Sequence, residues 1–242
     1  MSEVTIHKLQ QIKLRQPFVI LGLPGTGLVG SVAASQLVDA LKMPFVGYIS
    51  SPEFAPLAAI HNYTPLPAAR IHVSEKHNLV VVLSEMTIPV NASLALANKI
   101  YEFAKSLHAS MVICLGGVSL QEEGHAVYAV SSDRKLVKPL VDKKLVKPIR
   151  EGATSGVSGV LLARGNIEHF PIISILAESS EEYLDPEAAS QALKVLSAII
   201  RLKIDTKRLD TEAKEISEQL REKVIKSKLA IKRATPEGGM YG

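Results

Sequence analysis

An α/β fold, a three-layer sandwich around a mostly parallel sheet, is what this sequence predicts. Two observations predict it. Short, uninterrupted apolar runs recur along the chain, as strands buried on both faces require. Between them fall stretches with apolar residues three and four apart, as covering helices require. The 242 residues, 47% apolar and 21% charged, suffice to bury such a core.

The elements follow in order. Phe18 to Leu21 and Phe45 to Ile49 are apolar runs ended by Gly, Ser and Pro, and they read as strands. Between them, Leu28 to Leu41 places Val29, Ala33, Leu37 and Leu41 at helical spacing. This strand–helix–strand unit seeds a parallel sheet. Strand signals resume at Val73 and recur at Leu79 to Leu83, Met111 to Leu115 and Ile172 to Leu176. Asn91 to Ser106 reads as a helix capped by Asn91, with Leu94, Ala97, Ile100 (or Tyr101) and Ala104 as its inner face. Leu136 to Ile149 holds Lys-Leu-Val-Lys-Pro twice, and Pro139 and Pro148 predict an exposed connection with room for a short helix. The Gly, Ser and Thr of residues 152–159 predict a turn before a helix or strand at Val160 to Ala163. Asp185 caps a helix to Leu202 that opens with Pro186 and the first-turn acid Glu187.

A last helix is expected from about Thr206 to Ile231, with Leu209, Ala213, Ile216, Leu220 and Val224 as its apolar stripe. The pairs Asp210/Lys214 and Glu222/Lys226 lie one turn apart on its outer face. Thr235 to Gly239 ends that helix and forms a leash to Met240-Tyr241-Gly242. The domain expectation is therefore an α/β domain over residues 1–204, an amphipathic helix over 205–232 and a flexible tail over 233–242.

The net charge of +4 is concentrated. From Arg201 to Arg233 eleven Lys and Arg stand against six Asp and Glu, and the remainder is close to neutral. A solvated helix face is the expectation there, with no nucleic-acid partner. The apolar stretches Leu79 to Leu83 and Pro171 to Ala177 are too short to span a bilayer. The basic, uncleaved-looking N-terminus and the single cysteine, Cys114, predict a cytoplasmic protein without disulfides or a Cys-based zinc site.

Three glycine-rich turns are the candidate ligand sites. Gly22-Leu-Pro-Gly25-Thr-Gly27-Leu-Val-Gly30 follows a strand and opens a helix, so Gly25, Gly27 and Gly30 satisfy the dinucleotide fingerprint. The strand after it ends Gly47-Tyr-Ile-Ser-Ser51, without the acid that holds a ribose. The turn is therefore either a phosphate cradle or a place where only glycine allows helix and sheet to approach. Gly116-Gly117 and the turn holding Gly152, Gly156 and Gly159 extend the same crevice, which Glu85 is placed to join. No metal site, cofactor or nucleophile–base pair accompanies them. The histidines are scattered singly, and Cys114, inside an apolar strand, reads as an inert core thiol.

Five motifs carry a family resemblance in the same order. They are Gly22-Leu-Pro-Gly-Thr-Gly-Leu-Val-Gly30, Ser50-Ser-Pro-Glu-Phe-Ala-Pro56, Gly116-Gly117, Thr154-Ser-Gly-Val-Ser-Gly159 and Tyr183-Leu-Asp-Pro-Glu-Ala-Ala189. Over about residues 14–215 the chain resembles the proteasome assembly chaperone 2 family, and its tail resembles that of archaeal members. The resemblance implies a phosphorylase-like α/β fold without catalysis, self-association into a homo-oligomer (a tetramer is expected), and binding to proteasome α subunits. It implies that Met240, Tyr241 and Gly242 form a hydrophobic–Tyr–X motif. Tyr241 and the terminal carboxylate would enter pockets between α subunits, where a lysine meets the carboxylate. The competing expectation is a nucleotide-binding ligase or phosphorylase-like enzyme that uses the glycine-rich turns.

Overall fold

The computed structural model describes residues 3–120, 126–180 and 184–213. In chain order the strands are β1 (Thr5–Lys8), β2 (Phe18–Gly22), β3 (Phe45–Ser50), β4 (Ala58–His61), β5 (Thr64–Pro67), β6 (Ala69–Ser74), β7 (Leu79–Ser84), β8 (Met111–Val118), β9 (Val127–Ser131), β10 (Lys147–Pro148) and β11 (Ile172–Glu178). The helices are α1 (Val29–Ala40), α2 (Val90–Ser106), α3 (Arg134–Asp142), α4 (Gly156–Ile167) and α5 (Pro186–Ile200). β4 and β5 form a separate hairpin, and the others form one sheet in the order β1-β3-β6-β7-β2-β8-β11-β9-β10.

The parallel character lies at the centre. β7, β2, β8 and β11 run together, while β6 and β9 run against them on either flank. β7 shows why these strands are central: Leu79-Val-Val-Val-Leu83 is buried throughout. Leu79, Val81 and Leu83 enter one core with α1, α3 and α5, while Val80 and Val82 enter the other with α2 and α4. Successive side chains alternate between the faces, so a strand covered twice must be apolar at every position. The result is the three-layer sandwich. No helix among the described residues is long and apolar enough to cross a membrane.

Several expectations change. β2 and β3 point the same way, but β6 and β7 lie between them, so the unit β2-α1-β3 joins no neighbouring strands. The more apolar β7 and β8 take the places beside β2, where both faces are covered. α2 is capped by Pro89 backbone rather than by Asn91, whose amide instead donates to Glu53. Its buried face carries Leu96 and Ile100, and Leu94 is exposed. The stretch 136–149 holds the short helix for which the expectation left room, with Val137, Leu140 and Val146 buried and the rest exposed or half-buried. α3 tolerates Pro139 because Asp133 caps it and Val137 and Leu140 are buried. Gly156 and Gly159 belong to α4 itself rather than to a turn before it. α5 follows its expectation: Asp185 accepts from Ala188 N at 2.9 Å, Pro186 opens the helix and Glu187 sits in the first turn.

Beyond α5, residues 207–213 are helical, and Leu209 is buried in the α1–α5 core. Asp210 faces Ser190 and Thr206. Ala213 is half-buried at the end of this stretch, while Ile216, Leu220 and Val224 of the expected stripe, Lys214, the Glu222/Lys226 pair and the tail lie outside the described residues.

β6 buries two cationic residue types, Arg70 and His72. His72 Nδ1–H donates to Met43 O at 3.0 Å, and Nε2 has no partner among the described residues. Burial pushes the imidazole below its ordinary pKa, and the Met43 carbonyl only partly opposes this. The folded state therefore holds the proton less well than the unfolded chain. The stability from neutral His72 is whole above pH 6.5 and is lost as the pH falls below it. We expect urea melts to show stability falling below pH 6.5, with a contribution approaching about 1.4 kcal/mol per pH unit from this one proton. His72→Gln, which keeps a donor for Met43 and does not titrate, should flatten that part of the slope; an unchanged slope would remove His72 as its cause.

Candidate functional site

The expected crevice exists. A cleft of about 660 Å³ opens at the carboxyl ends of β2, β8 and β11, where ligands enter open α/β sheets. Its floor is apolar, with Leu21, Leu115 and Leu176, and its rim carries Thr26, Ser155, Arg150 and Glu151. Gly25, Gly116, Gly117 and Gly156 line it, whereas Gly22, Gly27, Gly30 and Gly159 do not.

The glycines fall into two groups. A Cβ on Gly22 would be driven into Ala34 and the Gly30 carbonyl, and one on Gly30 into the Leu115 carbonyl. One on Gly117 would meet the Thr26 carbonyl, and one on Gly159 the Thr154 carbonyl. These glycines let backbone lie against backbone. Gly27 adds a positive φ of 59°, and its absent side chain leaves room for Ser179. Its carbonyl accepts from Asp185 N at 3.0 Å, so the turn is tied directly to the cap of α5. Gly25 differs: its φ of −168° suits any residue, and a Cβ there would touch nothing. Gly116 meets only Leu176, at 3.2 Å. Gly156, at φ 68°, is required by its backbone, with open space where a side chain would be.

The cleft is therefore a consequence of tight packing around β2, and its fit to a dinucleotide is poor. The fingerprint needs an acid at the end of the next strand, but the strands beside β2 are β7 and β8, not β3. Glu85, expected to join the crevice, does not line it. It accepts from Arg70 at 2.5 Å and pairs with His61 at 2.9 Å. Partial burial raises the Glu85 carboxyl, but the Arg70 and His61 hydrogen bonds outweigh burial and hold it below the usual carboxylate range. Among the described residues no His, Cys, Asp or Lys lines the cleft. Cys114, in β8, is fully buried, and burial pushes its thiol up to about 12. Among the described residues no group of His, Cys, Asp and Glu is arranged to hold a metal.

A second feature was missed in the sequence. The β4–β5 hairpin is fastened to the body by Arg70, which is nearly buried and donates to Pro67 O at 3.0 Å as well as to Glu85. His61 is thus part of an ion-pair group and not a lone histidine. Its signal is faint: Ala-Ala-Ile-His and Thr-Pro-Leu-Pro flank Asn62-Tyr63, a weaker turn pair than Asn-Gly. Met240, Tyr241 and Gly242 lie outside the described residues.

With this geometry in hand, comparison with known proteins is specific. The PAC2 family model matches residues 19–224. The crystal structure of Pyrococcus furiosus PbaA, an archaeal homolog of proteasome-assembly chaperone, superposes with a TM-score of 0.82 at 27% identity, covering 95% of each chain. That of Pyrococcus furiosus PbaB, an archaeal proteasome activator, gives 0.79 at 29% identity over 92% of this chain and 99% of the other. An uncharacterized protein of Methanocaldococcus jannaschii is 26% identical over 231 residues, 96% of this chain and 95% of its own.

The two kinds of glycine give a paired expectation. Gly30→Ala should lower stability by about 1–3 kcal/mol, because its methyl group meets fixed backbone. Gly25→Ala should leave the urea midpoint almost unchanged. Equal losses in the two variants would refute this division.

Proposed function

Because the chain belongs to the PAC2 family, we propose that it is a proteasome assembly chaperone homologue that binds the α-subunit ring of the 20S core particle through its C-terminal tail. The observation that carries this reading is the hydrophobic–Tyr–X motif at residues 240–242. A Gly238-Gly239 leash precedes Met240-Tyr241-Gly242. The Tyr241 ring fills a pocket and hydrogen-bonds through its hydroxyl, Met240 adds buried apolar area, and the terminal carboxylate pairs with a lysine. The likeness to PbaB, an archaeal proteasome activator, supports the same docking and an ATP-independent activating role alongside assembly.

The chain is read as a cytoplasmic homo-oligomer, with a tetramer favoured, that acts without cofactor or catalysis. One tail binds weakly, since ordering its leash consumes part of the contact energy. Several tails facing a ring of repeated pockets gain effective concentration, by factors of about 10² to 10⁴. Such a complex holds while multivalent and releases once some tails let go, as an assembly factor requires.

The cleft favours a second reading, a nucleotide-binding ligase or phosphorylase-like enzyme. Glu85, the acid that follows β7 beside β2, is taken up by Arg70 and His61 and does not line the cleft, and no His or Cys is among the described lining residues; both weigh against it.

Recombinant proteasome α subunits, offered to the intact chain and to Tyr241→Ala, should be captured only by the intact chain. The loss should exceed tenfold, with oligomer mass and melting temperature unchanged. Capture by both would move the contact onto the folded domain. Capture by neither, with a rise in melting temperature on adding ATP, NAD or a nucleoside, would favour the enzyme.

A further inference from the structure

Among the described residues the β4–β5 hairpin pairs with no other strand. A two-stranded sheet alone is marginal in water and gains stability from added strands. Its two edges are built differently. The turn at Asn62 and Tyr63 has φ of 47° and 64°, the two-residue geometry whose flanking pair, His61 and Thr64, exchanges both hydrogen bonds. Counting from that pair, Pro65 and Pro67 present their backbone nitrogens outward from β5. Proline has no N–H, so this edge offers no donors to another strand.

The opposite edge is open. Ala58 and Ile60 direct amide and carbonyl outward from β4, and no backbone partner meets them among the described residues. Edge strands are usually guarded by a charge, a proline or a bulge. β4 reads Ala-Ala-Ile-His, and residues 54–69 contain no Asp, Glu, Lys or Arg. Ile60 is 73% exposed and Tyr63 entirely so. The hairpin is nonetheless held in place by the Arg70–Glu85–His61 group, so the open edge is preorganised.

We infer that β4 is a contact between two copies of this chain, pairing antiparallel with β4 of the second copy about a two-fold axis. The register that uses every outward group sets Ala58 against Ile60 of the other copy, with the two Ala59 residues facing each other on the axis. Alanine suits that place, because a non-hydrogen-bonded pair brings Cα atoms to about 4.5 Å. An identical strand is the occupant for two reasons. The uncharged edge offers no electrostatic complementarity by which a foreign partner would be chosen, and its apolar composition is that of homodimer contacts. The proline edges of β5 lie outermost on both sides, so pairing stops at four strands, as a closed two-fold contact requires. The inference deepens the self-association in the proposed function, and its test leaves the tail untouched, so the two can fail separately.

The experiment introduces Ala59→Cys into the full chain. Cys114 is buried, so the new thiol is the reactive one. Mild oxidation should produce a two-chain species on non-reducing gels that reductant reverses, and Leu66→Cys on β5 should produce none. Ile60→Lys should lower the mass measured by light scattering at least twofold, with the wild-type circular dichroism spectrum retained. An Ala59→Cys chain that stays single under oxidation would overturn the inference, as would a monomeric wild type or an Ile60→Lys variant of undiminished mass.

Discussion

The first turn of α1 lies against the backbone of β2 and β8 with no side chain between them. Gly22 and Gly30 allow that approach, Gly117 receives the Thr26 carbonyl, and Gly27 hands its own carbonyl to the cap of α5. Two of the four central strands and two helices of one layer thus meet at a single knot of main chain. Close packing of this kind leaves no slack, because protein interiors relax only partly around an inserted methyl group. The cleft is what remains on the other side of the knot, where α4 opens and the sheet ends. Glycine spacing that resembles a nucleotide fingerprint is thereby accounted for by packing at most of its positions.

How far the sequence reveals this depends on which forces act locally. The two-sided burial of β7 is written in five consecutive aliphatic residues. The start of α5 is written in Asp185, Pro186 and Glu187, because a cap is decided by neighbours in the chain. The order of strands is not local: nothing within Phe45 to Ser50 tells that two other strands separate it from β2. Leu94 and Leu96 are equally apolar, and only the position of the sheet decides which is buried. Pro139 is a breaker by propensity, yet Val137 and Leu140 anchor α3 from the core side.

The candidate sites divide along the same line. The glycines of the crevice were legible as residues that must approach something closely, but whether that was a ligand or the chain itself needed coordinates. Glu85 stands at a strand end as foreseen, and its partner Arg70 on β6 could not be known without the antiparallel pairing of β6 with β7. The tail motif is the reverse case: it is legible only as a sequence and lies outside the described residues.

Strand order also bears on how the chain is made. β11, completed only at Glu178, sits between β8 and β9, and β9 has no other partner in the sheet except β10. On the ribosome, the half that ends with β8 can assemble as it emerges, since β1, β2, β3, β6 and β7 precede it. The segment carrying β9, α3 and β10 has no place to dock until about thirty more residues have been synthesised. During that interval the outer edge of β8, with Val112, Ile113 and Leu115, is uncovered, and long-range pairing of this kind is slow and prone to mispairing. Strand order therefore predicts that a translational pause between residues 120 and 180 lengthens the time for which this apolar edge stands uncovered.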